Sequence, residues 1–154
     1  MKKISSLFIF LIFMSSCGYK NINLESENNL NVRQITLAGN KKIGRILQNE
    51  ILLISSSEGS DKIEISLTAN KVRKVRNKDN SGKVIKYDIV VRADLIITSL
   101  NSDKTTRRSF IKNSNFDVKP KHIDTINAEK KETINLTNQV AEEILNYFKI
   151  SYKN

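Results

Sequence analysis

The sequence predicts an α+β two-layer sandwich in the order β-α-β-β-β-α, with two helices packed on one face of a four-stranded, mostly antiparallel sheet. Three observations carry this prediction. Ile43, Ile46, Leu47, Ile51 and Ile54 recur at three- and four-residue spacing, which is one apolar helix face. From Lys62 to Thr98 the apolar period falls to two, the signature of half-buried strands. A second helical stripe closes the chain with Thr133, Thr137, Val140, Ala141, Ile144 and Phe148. The chain has 154 residues, 39% of them apolar, with only five glycines and one proline, so it holds one domain with a real core. That composition excludes a wholly disordered chain, a collagen and a polytopic membrane protein.

Each element has a local reason. Val32 to Leu37 is a short strand ending at Ala38-Gly39-Asn40, where Gly39 supplies a turn and Asn40 caps the first helix. Gly44 inside that helix costs about 1 kcal/mol against alanine, so the helix depends on tertiary packing. Ser55 to Ser60 is a loop. Ile63, Ile65, Leu67 and Ala69 then alternate with polar residues as a strand. The phase slips after Asn70, where Val72 and Val75 come next; a β-bulge or an exposed, twisted extension would explain the slip. Asn77 to Lys83 forms a hairpin turn around Asn80-Ser81-Gly82. The return strand places Ile85, Tyr87, Ile89, Val91, Ala93, Leu95 and Ile97 on one face against Lys86, Asp88, Arg92, Asp94 and Thr98 on the other. Asn101-Ser102-Asp103 turns the chain again, and Thr105 to Asp117 is a less regular strand carrying Phe110, Ile111 and Phe116. After Pro120, Asp124 or Thr125 is placed to cap the last helix. The sheet face away from the helices is polar enough to be solvated or to meet a partner.

The amino terminus bears on the compartment. Lys2-Lys3, the apolar block Leu7 to Met14 and Ser15-Ser16 form the charged, apolar and small-residue regions of an export signal. An eight-residue apolar run spans about 12 Å as a helix, too short to cross a bilayer core of about 30 Å. The single cysteine follows at once, and Met14-Ser15-Ser16-Cys17-Gly18 resembles the lipobox of bacterial lipoproteins. That resemblance implies cleavage before Cys17 and acylation there, with two or more chains holding the protein at a membrane it does not span. Gly18 stands where an aspartate would signal inner-membrane retention, so the outer membrane is permitted. The expected organisation is a signal peptide over 1–16, a lipidated flexible tether over 17–31 and a folded domain over 32–150.

Charge is segregated by element. Lys plus Arg number 26 against 16 Asp plus Glu, and loss of residues 1–16 leaves a formal charge of +8. Between Lys71 and Arg92 lie eight bases (Lys71, Arg73, Lys74, Arg76, Lys78, Lys83, Lys86, Arg92) and two acids, Asp79 and Asp88. Lys104 to Lys121 adds Lys104, Arg107, Arg108, Lys112, Lys119 and Lys121 against Asp117 alone. The final helix is acidic, netting −3 over 122–148. Consecutive hairpin strands are neighbours, so both basic segments are expected close together, as a cationic surface suited to multiply phosphorylated ligands. Taken singly, each of these residues does no more than solvate a strand face or guard a sheet edge. Export turns the expected anion from nucleic acid to lipid head groups.

Catalytic and metal chemistry find no support. His122 is the only histidine and Cys17 the only cysteine, so no Ser-His-Asp or Cys-His arrangement and no protein-built zinc site is available. Glu142 and Glu143 are adjacent on a helix and point in different directions, unlike a pair flanking one bond. There is no glycine-rich phosphate loop. The expectation is a binding protein with no cofactor.

Cys17-Gly18-Tyr19, the strand and helix order, the basic residues ahead of Tyr87, the Ser114-Asn115-Phe116 stretch and the helix Asn138 to Leu145 together resemble the LPS-assembly lipoprotein family, LptE. The resemblance covers almost the whole mature chain. It implies a lipid-anchored outer-membrane protein of a Gram-negative bacterium that binds lipopolysaccharide and plugs and assembles the β-barrel translocon LptD. It also implies lipopolysaccharide contacts near the second-to-third strand turn, where Arg73, Lys74, Arg76 and Lys78 lie, and just past the fourth strand, at Lys119 and Lys121. Another envelope lipoprotein, binding peptidoglycan or a protein partner without lipopolysaccharide, remains the alternative reading.

Overall fold

The computed structural model describes residues 29–152. The observed order is β1 (Leu30–Gly39), α1 (Lys41–Leu53), β2 (Asp61–Lys78), β3 (Val84–Ser99), β4 (Thr105–Asp117) and α2 (His122–Ser151). This is the α+β class expected, with the sheet in the order β1-β2-β3-β4. β1 runs parallel to β2, while the two hairpin pairs are antiparallel. A parallel pair needs a crossover, and α1 supplies it.

The β1 to α1 junction follows from two residues. Gly39 adopts φ +78, and a Cβ there would lie 2.2 Å from the Ala69 carbonyl oxygen, so no side chain fits. Asn40 then caps α1 through its side-chain oxygen, which accepts from the Ile43 amide at 3.2 Å. Ile43, Gly44, Leu47 and Ile51 form the buried face of α1.

The core lies between helices and sheet. Ile63, Ile65, Leu67 and Ala69 of β2 and Ile89, Val91, Ala93, Leu95 and Ile97 of β3 are all buried against it. α2 is 30 residues long, about 45 Å at the helical rise, and crosses the sheet from end to end. Leu136, Thr137, Val140, Ala141, Ile144 and Phe148 face inward; Leu136 thus joins the stripe expected from the spacing, and Thr133 is only half-buried. Thr137 is satisfied within the helix, donating to the Thr133 carbonyl at 2.7 Å.

Three expectations are corrected, and the choice left open at Asn70 is resolved. β1 begins at Leu30, and Leu30 is fully buried, so residues expected at the end of the tether belong to the sheet. The phase slip after Asn70 is the exposed extension and not a bulge: β2–β3 pairing is unbroken from Ile63 to Val75, and the register shifts come later, at Arg76 and between Asn77 and Lys78. β2 has outrun β1, whose pairing stops at Ala69, so residues 71–78 are exposed. Ile85, assigned to the core face, is exposed at that same overhanging end. Finally, α2 starts at His122 with no side-chain cap; the Thr125 hydroxyl instead turns back to accept from the Lys119 amide at 2.9 Å.

Candidate anion-binding site

β2 and β3 continue past the end of β1 as a two-stranded ribbon, and their turn is closed by hydrogen bonds to Asp79. The Asp79 carboxylate accepts from the Ser81 amide at 2.9 Å, the Ser81 hydroxyl at 2.6 Å and the Lys83 amide at 3.0 Å. Gly82 takes φ +84 and donates to the Asp79 carbonyl at 3.0 Å. The Ser81 hydroxyl bond, aided by the two amides and Lys83, holds the Asp79 carboxyl below its ordinary range despite some desolvation.

The segment after β4 returns to this end of the sheet. Lys86 faces both Asn77 and Asp117, its ammonium 3.2 Å from the Asp117 carboxylate, and the Val118 amide donates to the Ile85 carbonyl at 2.9 Å. Lys119 and Lys121 follow, both exposed. One end of the molecule thus collects Lys74, Arg76, Lys78, Lys83, Lys86, Lys119 and Lys121 against Asp79, Asp88 and Asp117. The seven cations outnumber the three carboxylates there, an electropositive patch of the kind suited to multivalent anions.

The six candidate residues are not equivalent within it. Lys74 sits on the outer sheet face directly opposite Asp88, and Arg76, at the irregularity, bonds the same carboxylate at 2.9 Å. Both cations are exposed, so an incoming phosphate competes with one aspartate. Lys78, Lys119 and Lys121 have no ion-pair partner among the described residues. Arg73 points the other way. It faces the helix layer, lies 4.7 Å over the Tyr87 ring and bonds Glu129 of α2 at 2.7 Å. Lys71 bonds the other Glu129 oxygen at 2.7 Å. Partial burial alone would raise the Glu129 carboxyl, but hydrogen bonds and charge from Lys71 and Arg73 outweigh it and hold the group below its ordinary range. Sequence reasoning missed Glu129 because nothing in one chain position shows which strand residue a helix will meet.

The second basic segment divides between the two ends of the sheet. Antiparallel pairing sends Lys119 and Lys121 to the hairpin end but Lys104, Arg107 and Arg108 to the opposite one, about 40 Å away along β4. Lys112, midway, is paired with Glu143 of α2, and Arg108 lies 5.2 Å over the Tyr147 ring. The expected single patch is therefore the hairpin with only the last two bases of the later segment. Cys17 lies outside the described residues. No described helix is long and apolar enough to cross a membrane.

The fold and this site define a class: a small sandwich with a projecting cationic ribbon. No family model matches the chain, and no curated protein matches it in sequence. Solved structures do share its fold. Rare lipoprotein B from Shewanella oneidensis is similar with a TM-score of 0.56 at 13% identity, over 77% of this chain and 95% of that one. Lipoprotein B from Nitrosomonas europaea gives a TM-score of 0.57 at 15% identity, over 80% and 85%. A protein assigned as a lipoprotein from Caulobacter crescentus gives 0.56 at 12% identity, over 81% and 91%. The likeness drawn from the sequence is thus matched in the fold.

Proposed function

We propose that this protein is a lipoprotein of the Gram-negative outer membrane, held by acyl chains on Cys17, that binds lipopolysaccharide and plugs and assembles the LptD β-barrel. The observation that supports it best is the convergence of the hairpin bases with Lys119 and Lys121 on one end of a fold shared with rare lipoprotein B. Ammonium and guanidinium groups at that end pair with the phosphates of lipid A and core sugar and compete with the divalent cations that bridge them. The uncovered sheet face suits the wall of a barrel lumen, because it mixes the Arg92–Asp94 pair, bonded at 2.8 Å, and Glu64, Ser66, Thr68 and Asn113 with exposed Val72, Ile96 and Ile111. The protein acts by binding and transforms nothing.

The test pairs a charge reversal with a pull-down. Arg76→Glu with Lys78→Glu is expected to weaken lipopolysaccharide binding about tenfold or more at low salt, with the fold intact because both residues are exposed. Unchanged affinity refutes the lipopolysaccharide assignment. Tagged protein from outer membranes is expected to bring down a large β-barrel; recovery without one refutes the plug.

A further inference from the structure

A second site lies between the helices, remote from the hairpin turn. Asn40, Lys42, Ile43 and Ile46 of α1 and its cap face Ile126, Lys130, Thr133 and Ile134 of α2 across a groove of about 230 Å³, with Lys71 and Glu129 closing one side. Its apolar walls are not fully covered by the fold: Ile126 is 45% exposed and Ile134 is 39% exposed. A dry apolar cavity of about 150 Å³ admits benzene, so this groove has room for a longer hydrocarbon segment.

The unpaired charge at the rim is of one sign. Lys42 and Lys130 have no ion-pair partner among the described residues. The one carboxylate present, Glu129, is already bonded by both Lys71 and Arg73. Lys41 and Arg45 extend the cationic surface along α1. Isoleucine walls under a lysine rim match an anionic amphiphile with one chain, because each methylene buried against them leaves water and the ammonium groups receive the head. A neutral lipid would leave the rim unpaired, and a peptide would not need a continuous apolar wall.

We propose that the α1–α2 groove binds one acyl chain of a phosphate-bearing envelope lipid, a source that rests on the location proposed above, its chain along Ile46, Ile126 and Ile134 and its phosphate at Lys42 and Lys130. The groove is separated from the hairpin turn, since Lys71 and Lys78 are seven residues apart on β2, about 23 Å, although its Ile126 end lies five residues after Lys121.

The experiment titrates decyl phosphate, below its micelle threshold, into the whole chain carrying Cys17→Ala, which keeps acyl groups and detergent out of the assay. The isoleucine methyl signals of residues 46, 126 and 134 are expected to shift saturably, while inorganic phosphate leaves them unmoved. Ile126→Glu, at an exposed position, is expected to weaken binding about tenfold with unchanged helix content. An uncharged decyl glycoside is expected to bind more weakly than the phosphate. Unmoved methyl signals, equal affinity of the Ile126→Glu chain, or equal affinity for the glycoside overturns the proposal. Arg76→Glu with Lys78→Glu is expected to leave the response intact; its loss would put the amphiphile at the hairpin instead. Lipopolysaccharide binding at the hairpin and amphiphile binding in the groove can therefore fail separately.

Discussion

Replacing Glu129 by glutamine tests how the ribbon is tied to the helix layer. The carboxylate is 16% exposed and accepts two charge-assisted hydrogen bonds of 2.7 Å, from Lys71 and Arg73. A hydrogen bond to a charged group contributes about 1.5–3 kcal/mol when sheltered, but these cations are 30% and 47% exposed and regain water when released. The expected loss is therefore about 1–2 kcal/mol, read from the midpoint of urea unfolding at unchanged slope. The pH dependence gives a sharper reading. The carboxyl is held below its ordinary 4.5, so near that pH the unfolded chain binds more protons than the folded one. Its contribution is complete above pH 4.5 and is lost as pH falls through the lower, folded value. The glutamine chain lacks this slope, and the two stability curves converge in acid. A constant gap between them down to pH 2 would refute the ion-pair account, as would a loss below about 0.3 kcal/mol at neutral pH.

Three further outcomes are expected. Leu47→Ala empties a fully buried position of α1 and destabilises by about 2–5 kcal/mol in denaturant unfolding. Gly44→Ala stabilises by about 0.5–1 kcal/mol in the same assay, since the added Cβ meets Leu37 methyls at 3.6 and 3.7 Å, ordinary contact. Cys17→Ala moves the protein from the membrane fraction to the soluble periplasm, and its recovery with membranes would refute the lipobox reading.

The legible parts of the fold were those with local causes. Asn40 as a cap, Gly39 as a turn, the alternation of Ile63 to Ala69 and the two helix stripes all state their structure within a few residues. What escaped depends on tertiary partners. Leu30 reads as part of a polar tether until the Asp61 end of β2 pairs with it. Thr125 looks like a cap, yet its hydroxyl serves the chain folding back at Lys119. The basic candidates were visible by type, but the strand face of each residue separated Arg73, turned to Glu129, from Lys74, turned to solvent. Ile126 and Ile134 carried a weak signal, as isoleucines off the core stripe of α2.

The overhang of β2 past β1 leaves a bare row of backbone donors and acceptors along residues 71–78. Such a margin invites another molecule's strand, and mutual repulsion among Lys71, Arg73, Lys74, Arg76 and Lys78 keeps two copies from zipping together there. The anion binding proposed for the ribbon and its protection against edge pairing would thus draw on the same side chains. A polyanion seated on the ribbon would also screen that repulsion, and so link occupancy to self-association.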